Sequence, residues 1–105
     1  MDFPCVIFCM ASSEEEAKKL STALVNENLA ACVNRVSGLR SVYRWKGEVR
    51  EAEEWLLIIK SRKSVLDRVI HRIRTLHSYE VPEIIALPIM GGSEDYLNWL
   101  EANTG

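Results

Sequence analysis

No apolar run in this sequence is long enough to cross a bilayer; stretches such as Trp55 to Ile59 fall far short of the roughly 20 residues a spanning helix needs. The N-terminus reads Met1-Asp2-Phe3-Pro4, with no basic region ahead of an apolar stretch, which argues against a secretory leader. Cysteine is scarce: Cys5, Cys9 and Cys32 are odd in number and contain no CxxC spacing, so a disulfide framework is not expected and a reducing, cytoplasmic setting is. Charge of one sign is also lacking. A formal net charge of −2 gives no electrostatic reason to expect nucleic acid or an anionic membrane as partner. P-loop, GxGxxG and GxSxG motifs are all absent. His71 and His77 lie about 240° apart around a helix axis, and no HxxxH or HExxH spacing exists.

What remains is an ordinary globular composition, 48% apolar and 27% charged, in 105 residues. That length allows one domain, residues 1–105, without linker, repeat or low-complexity tract. Cys5 to Met10 is short, apolar and β-prone, as in a strand covered on both faces. Ser12-Ser13-Glu14-Glu15-Glu16 offers capping-box spacing, either Ser12 with Glu15 or Ser13 with Glu16. Ala17, Leu20, Leu24 and Val25 then recur at helical spacing up to about Asn28. Ala31 to Trp45 reads as a long strand interrupted near Ser37-Gly38, where a glycine suggests a bulge. Lys46-Gly47 suits a two-residue hairpin turn, and the return strand passes from charged Glu48–Glu54 to apolar Trp55–Ile59.

Ser61 or Ser64 is expected to cap a second helix with Leu66, Val69, Ile73 and Leu76 as its buried stripe; Arg62, Arg68, Arg72 and Arg74 should be solvated. Pro82 bars continuation past His77-Ser78. Ile84 to Ile89 makes a fourth strand, with Pro88 indicating a sheet edge, and Ser93 caps a short final helix carrying Tyr96, Leu97 and Leu100. The order is βαββαβ plus a C-terminal helix, an α+β, ferredoxin-like arrangement with an antiparallel sheet.

In that arrangement both main helices cover one face of the sheet. Yet Trp55, Leu57 and Ile59 alternate with apolar Leu56 and Ile58, and Val6 and Phe8 with Cys5, Ile7 and Cys9. Both faces are apolar, so self-association is expected to cover the second.

Candidate chemistry is sparse. Cys5 and Cys9 share a strand face but lie roughly 13 Å apart, so they cannot grip one ion together; either could meet Cys32 if a neighbouring strand placed it opposite. Small core residues is the plainer reading of all three. His77 falls where the second helix ends, a place that suits a protonated imidazole. The sharper alternative is a polar site of His77, Tyr79 and Glu80, joined by Lys60 and Glu54. The acidic hairpin residues lack any EF-hand spacing. An RNA-recognition module would need aromatic and basic residues that Glu54–Lys60 does not supply. In an acylphosphatase-like enzyme, the three glutamates after Ser13 would repel phosphate.

Ala31-Cys32-Val33-Asn34, Ser41 to Glu48, His77 to Ile85 and Tyr96-Leu97-Asn98-Trp99 together resemble signatures of the CutA divalent-cation-tolerance family, in order and over nearly the whole chain. Ser78 departs from a frequent proline of that pattern. The resemblance implies a homotrimer of ferredoxin-like subunits, similar in architecture to PII signalling proteins, with hairpins reaching across neighbours and no enzymatic reaction. It implies tolerance to copper and other divalent metals. It also implies Cys32, His77 and Glu80 as metal contacts, with Glu54, Lys60 and Tyr79 lining an inter-subunit cleft. Trp45, Pro82 and Trp99 are expected to be architectural. The expected function is therefore a cytoplasmic, non-catalytic metal-response protein that binds Cu²⁺ or similar ions weakly and has no nucleic-acid or membrane partner. The alternative is a PII-like sensor taking a small anionic metabolite through Lys60 and His77; an enzyme using His77 and Glu80 as acid and base comes third.

Overall fold

The computed structural model describes residues 1–105. β1 (Pro4–Ala11), α1 (Glu14–Asn26), β2 (Cys32–Trp45), β3 (Glu48–Arg62), a 3₁₀ turn (Lys63–Val65), α2 (Leu66–Leu76), β4 (Ile84–Pro88) and α3 (Glu94–Ala102) follow in order. The strands form one antiparallel sheet in the order β2-β3-β1-β4, the α+β, ferredoxin-like arrangement the sequence order implies. β4 is an edge strand, where Pro88 removes no ladder hydrogen bond that the sheet needs.

Strand alternation assigns the two faces. Cys5, Ile7, Cys9, Leu57 and Ile59 are buried beneath α1 and α2, against Leu20, Leu24, Val69 and Ile73. Val6, Phe8, Met10, Leu56 and Ile58 point to the second face and are only partly covered. α3 packs on β1 and β3 there, burying Leu100 outside the helix-side core. The remainder of that face stays apolar and open, with Val36 41%, Ile85 52% and Leu87 46% exposed.

The ends of α1 follow from its sequence with one shift. Ser13 Oγ accepts from Glu16 N at 3.1 Å, but the reciprocal bond moves back a residue: Glu16 Oε1 accepts from Ser12 N and Ser12 Oγ, each at 2.9 Å. Asn28 takes φ 60°, and Leu29 N and Ala30 N return to Leu24 O, closing the helix.

The cap expected for the second helix is corrected. Ser61 is fully buried and donates to Leu29 O at 2.6 Å, and Arg62, at the N-cap of the 3₁₀ turn, makes no side-chain capping bond. α2 itself has no side-chain cap; Asp2 instead caps the 3₁₀ turn that leads into it, its carboxylate accepting from Ser64 N and Ser64 Oγ, each at 2.9 Å. Those bonds hold the Asp2 carboxyl below its ordinary range although burial opposes ionisation, the Ser64 backbone bond contributing most. Arg62 is likewise not a freely solvated residue: it pairs with Asp2 at 3.1 Å and donates to Thr104 O, tying both chain ends to the foot of β3. Arg72 pairs with Glu27, the residue that ends α1, at 2.9 Å.

The β2–β3 hairpin is much longer than the body it leaves, and the molecule measures 44 × 25 × 24 Å. Its tip is a two-residue turn, Lys46 (φ 51°) and Gly47 (φ 80°), the positive pair that a tight hairpin with right-handed twist requires. One irregularity sits in the ladder: Val36 pairs with Leu56, but Leu39 pairs with Glu54, so β2 carries one extra residue, with Gly38 at φ 77°. Below the bulge the even-numbered residues of β2 share the open face with Leu56 and Ile58. Above it, odd-numbered Leu39, Ser41, Tyr43 and Trp45 do.

Candidate functional site

The loop after α2 is held from several sides. His77 donates through one ring nitrogen and accepts through the other. The Tyr79 backbone N–H reaches Nδ1 at 3.0 Å, so Nδ1 must accept, and Nε2 carries the hydrogen that meets Met10 O at 2.6 Å. The His77 side chain has no solvent exposure, and Glu16 Oε1 lies 3.7 Å from Nδ1. Glu16 Oε2 accepts from Ser78 N at 2.8 Å, so one carboxylate joins the start of α1 to the end of α2. Burial works against its ionisation, yet the bonds from Ser12 and Ser78 outweigh it and bring the carboxyl down to about 2.

Tyr79 then crosses to the hairpin, donating its hydroxyl to Glu54 Oε2 at 2.7 Å. Burial first, and this bond second, push the phenol well above its ordinary value. Glu54 is only 6% exposed. Its other oxygen, Oε1, receives no hydrogen bond, and no cationic group lies within ion-pair distance of the carboxylate.

Between this loop and the upper hairpin lies an open groove of about 770 Å³. The hairpin contributes Ser41, Tyr43, Trp45, Arg50 and Glu54, residues the bulge sets on one face. The loop contributes Ser78, Tyr79, Glu80, Val81, Pro82 and Glu83. Arg50 leans toward Glu48, at 3.6 Å, rather than toward Glu54.

Of the six residues expected to form a site, Glu54, Tyr79 and Glu80 line this groove, and His77 anchors its loop from behind. Cys32 and Lys60 do not come here. They pair across β2 and β3 at the opposite end of the sheet, about 20 Å along β3 from Glu54 at about 3.3 Å per residue. Lys60 Nζ bonds Asn34 Oδ1 there, and the Cys32 thiol sits beside the Tyr96 hydroxyl. Within one chain Lys60 and His77 therefore do not act together on an anion; only a neighbouring chain could bring them to one cleft. His77 has both ring nitrogens engaged, and the groove is lined by three glutamates against one arginine. To take a metal, His77 would have to give up one of its two bonds.

The other cysteines also separate. β2 pairs with β3 and not with β1, and Cys32 shares the open face with Lys60 and Val6, whereas Cys5 and Cys9 face the helices. Burial pushes the Cys9 thiol up to about 12 and raises that of Cys5, so neither offers a thiolate to a soft ion at neutral pH. Nowhere within one chain do three His, Cys, Asp or Glu side chains come together as a metal would need.

Three contributors were not visible in the sequence as site residues. Glu16 read only as a helix cap, because its contact with Ser78 spans 62 positions. Tyr43 and Trp45 could be placed on the Glu54 face only by counting the extra residue at Gly38.

The sequence profile of the CutA1 divalent ion tolerance protein matches residues 5–103. The Divalent-cation tolerance protein CutA of Thermus thermophilus is 50% identical over 100 residues, covering 95% of this chain and 97% of that protein. The chloroplastic Protein CutA of Arabidopsis thaliana is 48% identical over 94% of this chain, which spans only 54% of that longer protein. Among solved structures, the Thermus thermophilus divalent cation tolerance protein superposes with a TM-score of 0.96 at 48% identity, covering 98% of this chain and 100% of that one. CutA1 from Oryza sativa gives 0.94 at 45% identity, covering 98% and 95%.

Proposed function

Because the chain belongs to the CutA1 divalent ion tolerance family, we propose that it is a cytosolic, non-catalytic homotrimer that serves in divalent-cation tolerance and binds Cu²⁺ or a similar ion weakly. The observation that carries the reading is the near end-to-end match to relatives named for divalent-cation tolerance. Self-association is supported by the exposed Val36, Ile85 and Leu87 on the open face, which a monomer would leave in water. Three free cysteines suit a reducing compartment.

Since one chain gathers no three ligating side chains, a metal site shared between chains is the form this reading takes, with Cys32 and Glu80 as its candidate contacts. Sedimentation at micromolar concentration tests the assembly, and a monomer would sink it. Titration calorimetry with Cu²⁺ tests the ligands: Cys32→Ser and Glu80→Gln are expected to weaken binding, and unchanged affinity in both removes them.

A second reading is favoured by the groove between the hairpin and the loop after α2. Its size suits a small-molecule effector, as in a PII-like sensor. A thermal-shift screen of metabolites against metals separates the two readings, since a ligand at a hundredfold its Kd adds about 2.7 kcal/mol.

A further inference from the structure

The end of β1, the start of α1 and the loop after α2 meet at one imidazole, and the geometry decides which of its forms they accept. Met10 O is a carbonyl and can only accept, so Nε2 of His77 carries the hydrogen of their 2.6 Å bond. The Tyr79 N–H can only donate, so Nδ1 accepts it at 3.0 Å. The side chain has no solvent exposure, and both partners come from the chain itself. His77 is thus held neutral in a single tautomer. It is not among the candidate metal contacts, because the lone pair of Nδ1 is already engaged.

A proton added to this ring has one place to go. It lands on Nδ1, where the Tyr79 N–H already points, and two donors then face each other. One of them must turn away. Glu16 Oε1 lies 3.7 Å from Nδ1, on a carboxylate that the bonds from Ser12 and Ser78, against the opposition of burial, keep ionised down to about 2. Oε1 already accepts from Ser12 N and Ser12 Oγ, so a further bond displaces the hydroxyl, for which Ser78 Oγ stands 3.4 Å away. Glu16 Oε2 meanwhile keeps Ser78 N. The proton therefore exchanges Tyr79 for Glu16 as the partner of Nδ1, and the loop comes loose at Tyr79 rather than at Ser78.

The groups that face this ring are acidic. Glu16 approaches from α1. Glu54 stands behind Tyr79 on β3, and Glu83 closes the loop, both near enough to act on the Cys9 thiol of β1. Cys9 and the Tyr79 phenol, each raised first by burial, stay neutral. Arg74, in the last turn of α2, forms no ion pair with any of the three glutamates. Those carboxylates are the counter-charges open to a protonated His77.

We propose that His77 is a proton-operated latch on the wall of the groove: neutral, it holds the loop through the Tyr79 N–H, and charged, it turns to Glu16 and lets residues 79–83 move from the hairpin. Tyr79 also holds Glu54 through its hydroxyl, so release at its backbone reaches the hairpin through the same residue. Only the consequence, that acid widens access to the groove, rests on reading the groove as a small-molecule site. The latch itself does not depend on what the groove binds.

The test is a nitrogen NMR titration of the isotope-labelled full chain in its native assembly, from about pH 8 to about pH 5, where an imidazole ordinarily changes charge. The His77 ring is expected to show the Nε2–H tautomer at the upper end. As the ring takes its proton, the Tyr79 amide should shift with the same midpoint, and its protection from hydrogen exchange should fall at least about tenfold. The Ser78 amide should stay protected. His71, exposed on α2, titrates in the same sample and is the reference for a histidine that leaves the loop unmoved. In His77→Asn the side-chain oxygen takes over the Tyr79 N–H, as asparagine does for the amide two residues on, and does not titrate. The pH dependence at Tyr79 should then vanish.

An Nδ1–H tautomer at the upper end, or a His77 that stays neutral until the chain unfolds, overturns the proposal. So does a Tyr79 transition whose midpoint differs from that of the ring, or one that persists in His77→Asn. Where His77→Asn does not fold, the ring and amide midpoints of the unaltered chain decide alone. If the metabolite screen finds no binder while those midpoints coincide, the small-molecule reading of the groove falls and the latch stands.

Discussion

Tyr79 and Glu54 meet at 2.7 Å, and through that bond the loop after α2 is fastened to the base of the projecting hairpin. Both residues line the groove, one from the loop and one from the hairpin, so their contact ties its two walls together. Tyr79→Phe removes the hydroxyl and leaves a buried carboxylate with no hydrogen bond at all. The expected cost is about 1 to 2 kcal/mol, read from guanidinium unfolding at fixed protein concentration. A change below about 0.3 kcal/mol would mean that water replaces the phenol without loss.

Glu16 makes stability depend on acid. Its carboxyl is lowered from an ordinary 4.5 to about 2, so its contribution is fully present above pH 4.5 and is lost as pH falls toward 2. Glu16→Gln should therefore flatten the stability profile across that window while lowering stability at neutral pH. Identical slopes in the two proteins between pH 4.5 and 2 would contradict the assignment.

Asp2 caps the 3₁₀ turn ahead of α2 across 62 positions of sequence. Asp2→Ala is expected to raise hydrogen exchange at the amides of Ser64 and Val65 while leaving those of β1 protected. Uniform acceleration across the sheet would show that the N-terminal segment does more than cap.

Cys5 and Cys9 are sealed beneath the helices, at 2% and 0% exposure. In native protein at pH 8 iodoacetamide should leave both unmodified, by mass spectrometry, and modify them only after guanidinium is added. Labelling of Cys9 in the folded state would require an opening of the helical layer far short of global unfolding.

Gly38 and Gly47 both hold positive φ, yet they differ in what depends on them. Gly38→Ala should cost about 1 kcal/mol from the strained backbone and also weaken any ligand of the groove, because the bulge places Tyr43 and Trp45. Gly47→Ala should show a similar cost with groove binding unchanged. Calorimetry and unfolding on the two variants separate stability from alignment.

The sequence discloses what arises from neighbours along the chain. Alternation in Cys5–Met10 and Trp55–Ile59 gives the two-faced sheet, the stripe from Leu66 to Leu76 gives α2, and Lys46-Gly47 gives the tight turn. What it conceals is set across the fold. Neither Ser61 nor Ser64 caps the second helix; Asp2, just ahead of β1, caps the 3₁₀ turn that leads into it, a contact across 62 positions. The candidate site was half legible. Tyr79, Glu80 and Glu54 come to one end of the sheet, while Cys32 and Lys60 pair with each other at the other end. No local pattern reports a register.

The extra residue at Gly38 also sets a rule of parity for the ribbon above it. Lengthening or shortening both strands of the hairpin by two residues at a time would move the tip outward or inward and keep Tyr43 and Trp45 over the groove. A single-residue change in one strand would exchange every side chain beyond it between the two sides of the ribbon. The hairpin can thus vary freely in reach only in even steps, and one small kink decides which surface its aromatic residues serve.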